Sequence, residues 1–249
     1  MYTKQQLMQQ LKSIGVNPKG TLKVHSSYKT IGEVEGRGDT VIDALMEYMR
    51  DGLLVLPTHT WEYVNVNNPV MDVLYTPSNV GILTNLFRKR ENVYRSLHPT
   101  HSVAAVGKDA KEFVAGEEKV NTSCGHGGTY YKLWERDAQI LLLGVNFNCN
   151  TFIHGMEEWD NHGKYTISKE QTDLYTINYQ GQRLYTPQYC HCPRTRLDIF
   201  TKLEAPAIQE GILTLGFFGD ATTRLMNAKP LRELTAKLLA KDDRYLLRC

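Results

Sequence analysis

No apolar run in this chain is long enough to cross a bilayer. The longest, such as Gly52 to Leu56 and Ile140 to Val145, fall far short of the ~20 residues that a spanning helix needs. Cysteine is scarce. Cys124, Cys149, Cys190, Cys192 and Cys249 make an odd count at irregular spacing. That excludes a dense disulfide scaffold and fits reduced thiols in a cytoplasmic protein. Neither sign of charge dominates: 29 Lys and Arg stand against 27 Asp and Glu, a formal net charge of +2. A nucleic-acid surface usually shows a strong basic bias, so no nucleic-acid partner is expected, and no membrane partner either. The opening residues Met1 to Gln6 have no apolar stretch behind Lys4, so no secretory signal is expected. Internal repeats, low-complexity segments and composition shifts that would mark a linker are also missing.

Three catalytic signatures are absent as well. There is no Gly-x-Ser-x-Gly elbow for a hydrolase nucleophile. Gly36-Arg37-Gly38-Asp39 extends into neither a dinucleotide fingerprint nor a Walker motif, and reads as turn glycines.

What is present is ordinary for a globular chain. The 249 residues are 41% hydrophobic and 22% charged, ample for a core without staples. Thr3 opens a helical pattern carrying Leu7, Met8 and Leu11 that stops at Gly15. Thr21 to His25 reads as a strand. Asp39 is placed to cap a second helix with Val41, Ile42, Leu45 and Met49 on its buried stripe. Leu53 to Leu56 is a fully apolar run, expected of a strand covered on both faces. The long polar stretch from Thr58 to Ser78 reads as a functional loop, with Ser78 capping a helix through Phe87.

Further on, Ser102 to Val106 predicts a strand and Lys108 to Ala115 a short helix. Gln139 to Val145 predicts the central strand, and Thr151 to Trp159 a helix. Leu174 to Tyr179 and Arg183 to Tyr185 flank Gln180-Gly181 as a β-hairpin excursion near 174–186. A helix over Asp198 to Glu210, a strand over Ile212 to Phe217 and a terminal helix near Pro230 complete the chain. The expectation is an α/β fold: one domain over 1–249, with a mixed central sheet flanked by helices.

Several constellations could carry chemistry. In Thr151-Phe-Ile-His154-Gly-Met-Glu157-Glu158, helical spacing puts Thr151, His154 and Glu157 on one face. A carboxylate beside an imidazole fixes its tautomer and raises its basicity, which makes a general base near neutral pH. Such a pair also occurs on solvated helices. Arg95-Ser96-Leu97-His98-Pro99-Thr100-His101-Ser102 could be a metal pair, an anion-binding or substrate-shaping loop, or a turn set by Pro99. His25-Ser26-Ser27 ends a strand, where ligands of open α/β sheets gather; a plain strand-to-loop cap has the same composition. Cys190-His191-Cys192 offers zinc-type donors at tighter spacing than ligand pairs normally use, and reads as a loop feature.

In order along the chain stand His25-Ser26-Ser27, Ile31-Gly32, Val34-Glu35-Gly36, Leu54-Val55-Leu56-Pro57-Thr58 and Tyr75-Thr76-Pro77. Then come Arg95-Ser96-x-His98-Pro99-x-x-Ser102, Leu141-Leu142-Leu143-Gly144-Val145 and Thr151-x-x-His154-x-x-Glu157. This ordered set resembles the aminoglycoside 3-N-acetyltransferase family, antibiotic acetyltransferases unrelated in fold to the GNAT enzymes. The resemblance implies transfer of an acetyl group from acetyl-CoA, as co-substrate, to the 3-amino group of an aminoglycoside. It implies His154 as base, Glu157 as its support, and no metal. It places His25, Ser26, Ser27, Arg95, Ser96 and Ser102 along the path of the CoA pantetheine and phosphates, and Thr151, Glu158 and Asp198 near the acceptor. The same fold serves for a different small amine or amino-sugar, or for a non-catalytic CoA-binding homologue. The partner is then a small-molecule amine, and the chain a monomer or homodimer. A polycationic acceptor calls for a carboxylate-lined cleft, for which Glu62, Asp72, Glu157, Glu158, Asp160 and Asp198 are candidates.

Overall fold

Runs that are apolar at every position can be strands only where both faces are covered. The computed structural model, which describes residues 1–160, 165–191 and 199–247, uses them so. The chain runs α1 (Lys4–Ser13), β1 (Thr21–Ser26), α2 (Arg37–Tyr48), β2 (Leu53–Pro57), β3 (Val70–Asp72), α3 (Ile82–Phe87), β4 (Tyr94–Arg95), β5 (Val103–Gly107) and α4 (Ala110–Val114). It continues with α5 (Thr129–Glu135), β6 (Gln139–Leu143), α6 (Phe152–Trp159), β7 (Tyr175–Ile177), β8 (Arg183–Tyr185), α7 (Glu204–Gln209), β9 (Thr214–Phe218), β10 (Ala221–Asn227) and α8 (Ala228–Lys241). No described helix is long and apolar enough to cross a membrane.

Seven strands form one mixed sheet in the order β4-β5-β2-β1-β6-β10-β9. Its centre is parallel, β1 pairing with β2 and with β6. Both flanks are antiparallel. Alternation along each central strand divides the core. Leu22, Val24, Leu54, Leu56, Leu141 and Leu143 face one layer with residues of α1, α2 and α3. Leu53, Val55, Ile140 and Leu142 face the other, with residues of α5, α6, α7 and α8. The expected α/β class and mixed central sheet are therefore present.

Local details correct several expectations. Asp39 lies inside the first turn of α2, and the cap is Gly36 in the left-handed region (φ 71°). Ser78 precedes the Gly81 cap of α3; its hydroxyl accepts from Val80 N and Thr84 Oγ1. The hairpin at β7 and β8 is not a free excursion, because β3 pairs with β7 to make a three-stranded sheet. β10 was not expected. Its Thr222, Thr223 and Arg224 hide a strand whose remaining positions pack on β6 and β9. The helix expected from Asp198 is a 3-10 turn at Phe200–Leu203 followed by α7; Asp198 itself lies outside the described residues.

Gly144 shows why β6 ends where it does. Its φ is 67°, a region that costs an L-residue energy. A Cβ there would collide with the Thr30 side chain and press on Ala221. Gly144→Ala is expected to lower stability by about 1–3 kcal/mol, measured by urea unfolding.

Candidate active site

α6 starts just after Thr151 and presents His154 and Glu157 one turn apart. Their side chains meet at 3.0 Å, His154 Nδ1 to Glu157 Oε2. The carboxylate is buried and the imidazole is about one-fifth exposed. A carboxylate on Nδ1 requires N–H there and leaves Nε2 as the basic nitrogen. His154 opens onto a cavity of about 1170 Å³. The cavity sits at the carboxyl ends of the parallel strands: His25 and Ser26 close β1, Pro57 closes β2, and Val145 follows β6. Ligand sites of open α/β sheets gather at this end.

Five imidazoles line the cavity: His25, His59, His101, His154 and His191. Burial holds His25 well below the usual histidine range, helped by Lys23. His59 and His101 are lowered by burial and by the surrounding imidazoles, His59 also by Lys23, and His191 by burial and by His154. The rings of these four are accordingly neutral near pH 7. Among the described residues no Asp or Glu lines the cavity. Its apolar wall is Trp61, Val64, Val66, Val80, Leu174 and Phe200.

The acidic candidates are engaged elsewhere. Asp72 accepts from the backbone of Leu74 and Tyr75, Asp160 pairs with Arg232 at 2.7 Å, and Glu62 is on the surface. Glu158 does not face the cavity. It accepts from Thr122 Oγ1 at 2.6 Å and Cys124 N at 3.1 Å, and it meets His191 Nε2 at 3.2 Å.

The residues expected along the CoA path separate into two groups. His25 and Ser26 line the cavity, and His25 Nε2 is buried with no hydrogen-bond partner among the described residues. Ser27 lies beyond the lining and holds the turn after β1, its N–H on Leu143 O and its carbonyl accepting from Thr30. Arg95, Ser96 and Ser102 are buried behind the wall. The Arg95 guanidinium donates to the carbonyls of Thr58 (2.7 Å), Thr76 (2.6 Å) and Val73 (3.3 Å) and to the hydroxyls of Thr58 and Ser102. Burial lowers it to about 9, still charged at neutral pH. Ser96 bonds Glu117, whose other oxygen accepts from Thr129 N and Oγ1. With every donor turned inward, these three residues shape the site from behind.

His98 is structural too. Its Nδ1 accepts from the backbone of Thr100 and His101, and its Nε2 meets Thr122 O. This puts Thr100 and His101 on the cavity. Thr151 lines the cavity as well. Cys192 lies outside the described residues. Among the described residues no group of three or more His, Cys, Asp or Glu is placed to hold a metal ion. His59 was not anticipated. It follows the carboxyl end of β2 as His25 ends β1, a signal the sequence carries, and its Nε2 meets Tyr130 Oη at 2.8 Å.

Residues 24–240 match the family model described as aminoglycoside 3-N-acetyltransferase. The chain is 30% identical over 262 residues to the SPbeta prophage-derived aminoglycoside N(3')-acetyltransferase-like protein YokD of Bacillus subtilis (strain 168), covering 97% of this chain and 93% of that one. It is 30% identical over 156 residues to aminoglycoside N(3)-acetyltransferase IV of Salmonella sp, covering 61% and 58%. The crystal structure of YokD from Bacillus subtilis is similar at a TM-score of 0.81, with 25% identity over 97% of this chain and 94% of that one. A mutant of aminoglycoside acetyltransferase AAC(3)-IVa in complex with a gentamicin shares the fold at a TM-score of 0.86, with 22% identity and coverage of 100% and 92%. AAC-IIIb, binary with CoASH, does so at 0.82, with 19% identity and coverage of 96% and 97%. Fold and relatives define an acyltransferase. The chain belongs to the aminoglycoside 3-N-acetyltransferase family.

Arg95→Ala would leave the carbonyls of Val73 and Thr76 without this donor, while Thr58 O keeps Ser102 Oγ. A loss of about 3–5 kcal/mol in unfolding free energy is expected, measured by chemical denaturation. Weakened CoA binding at unchanged stability would instead mark Arg95 as a direct ligand.

Proposed function

We propose that residues 1–249 act as one acetyltransferase unit that moves an acetyl group from acetyl-CoA to a primary amine. The observation that carries this is the His154–Glu157 pair opening onto the cavity at the carboxyl ends of the parallel strands. An ammonium cannot attack a thioester carbonyl until it has lost a proton. His154 Nε2 takes the proton shed as the amine nitrogen bonds to the carbonyl carbon, and Glu157 supports the imidazolium that forms. The thiolate leaves as the tetrahedral intermediate collapses and takes a proton. The amine is itself the nucleophile, so no covalent acyl-enzyme is required. His25 and Ser26 flank the path for the thioester arm. The cavity exceeds the upper end of the usual range for a single small ligand, roughly 1000 Å³, as two co-substrates require.

The relatives' names point to the 3-amino group of an aminoglycoside as the acceptor. A second reading, another small amine or amino-sugar, is favoured by the lining: its described walls carry imidazole, hydroxyl, amide and apolar groups but no carboxylate to attract a polycation.

A thiol-release assay with acetyl-CoA against aminoglycosides and simpler amino-sugars tests both. Release is expected with at least one amine, and His154→Ala is expected to lower it by about 10²–10⁴-fold. Full activity in His154→Ala would remove the mechanism. Release with amino-sugars but with no aminoglycoside would establish the second reading.

A further inference from the structure

β1 lies between β2 and β6 in the sheet, so the segments that follow β2 and β6 flank the end of β1. His59, just past β2, stands on one side, and His154 on α6 stands on the other. Both line the cavity, and His154 is near enough to act on the charge of His59. The backbone around His59 is pinned. Thr58 N and Thr60 N donate to Ser102 O and Thr100 O, and the His59 carbonyl accepts from Asn79 N. The His101 ring packs 4.8 Å away between centroids.

His59 Nε2 meets Tyr130 Oη at 2.8 Å. Burial lifts the Tyr130 phenol well above its usual range, so it keeps its proton. A side-chain hydrogen bond with Thr151 opposes that rise, as a donor to Oη does. With Thr151 donating to Oη, the phenolic proton goes to His59 Nε2. That assigns the ring's own proton to Nδ1. Burial pushes the ring well down, and Lys23 and His25 on β1, His98 in its loop and His154 on α6 add to this. It is therefore neutral and holds that single proton. Nδ1 has no hydrogen-bond partner among the described residues. Unlike His25 Nε2 and His191 Nδ1, it is not closed off from the cavity.

Resting on the acetyl transfer proposed above, we infer that His59 is a further catalytic residue, whose Nδ1–H donates to the thioester carbonyl oxygen and to the oxyanion that this oxygen becomes. As the amine nitrogen bonds to the carbonyl carbon, the C=O π pair moves to oxygen, and the charge developing there strengthens the hydrogen bond. His59 keeps its proton throughout. When the pair returns and C=O re-forms, the C–S bond breaks. The thiolate takes up the proton that His154 removed from the amine. The sum is R–NH2 plus the thioester giving the amide and the thiol. A cationic donor here would repel an amine arriving as ammonium, and a neutral imidazole does not.

The test uses the full chain, acetyl-CoA and an amine that the wild type acetylates, with kcat, KM and unfolding free energy measured together. In His59→Leu, which removes both nitrogens, kcat is expected to fall about 10²–10³-fold with KM for both substrates within about threefold. The deficit is expected to be equal at pH 7 and pH 9, because a neutral donor does not titrate between them. Two amides then separate the nitrogens. His59→Asn keeps an N–H at the δ position and gives up Tyr130, and is expected to stay within about tenfold of wild type. His59→Gln reaches Tyr130 and leaves the δ position empty, and is expected to be about as slow as His59→Leu. This pair stands alone if His59→Leu does not fold. A fast His59→Gln beside a slow His59→Asn would assign His59 to holding Tyr130. A deficit that shrinks as pH rises would make His59 a base, and an effect on KM alone would make it a binding group. Each of these, or wild-type kcat in His59→Leu, or equal loss in His59→Asn and His59→Leu, would overturn the inference and leave the base role of His154 intact. A wild type inactive on every amine would instead overturn the acetyl-transfer reading on which it rests.

Discussion

The charge of Arg95 is buried and makes no direct ion pair among the described residues, Asp72 acting on it only at a distance, and the walls of the cavity depend on how that charge is satisfied. β4 contributes only Tyr94 and Arg95 to the sheet edge, too little backbone pairing to anchor a loop. The guanidinium supplies the anchor instead, collecting carbonyls from Thr58, Val73 and Thr76. The segment it gathers carries His59, Trp61 and Val64 into the cavity. The loop leaving Arg95 carries Thr100 and His101. Tyr179 Oη bridges the backbone N–H and carbonyl of Arg95, which ties the small three-stranded sheet to the same point. A lysine could not replace it: only a planar fork with five N–H donors reaches these acceptors together.

Sequence revealed the parts of the molecule whose logic is local. The apolar runs at β2 and β6 state their own burial, and the spacing of His154 and Glu157 states their shared face. What depends on distant partners was not legible. Arg95, Ser96 and Ser102 have the composition of an anion site. Only the folded chain shows their donors satisfied by carbonyls, hydroxyls and Glu117. β10 reads as polar because its threonines hide an alternation that matters only once β6 and β9 lie on either side. The meeting of His59 with His101 is not legible in the sequence, since separate segments bring these imidazoles together. His191 was read as part of a cysteine-rich loop, and its partner Glu158 as a ligand for the acceptor. The structure joins the two.

The site works by withholding charge. Imidazoles that titrate near neutrality in water are pushed downward by burial and by one another, so the cavity offers lone pairs and N–H groups with little net field. Carboxylates stand only behind the lining, Glu157 against His154 and Glu158 against His191.

The parallel centre of the sheet sets when this site can exist. Leu22 on β1 pairs with Gln139 on β6, and a parallel pair is closed only after the intervening chain has been ordered into crossovers. His25, His59 and His154 come together only when β1, β2 and β6 stand side by side, so the cavity is complete only in the folded chain. Binding and global folding are thereby joined. A ligand that needs the whole cavity binds only the folded chain, so its concentration acts on the fraction of molecules that are folded.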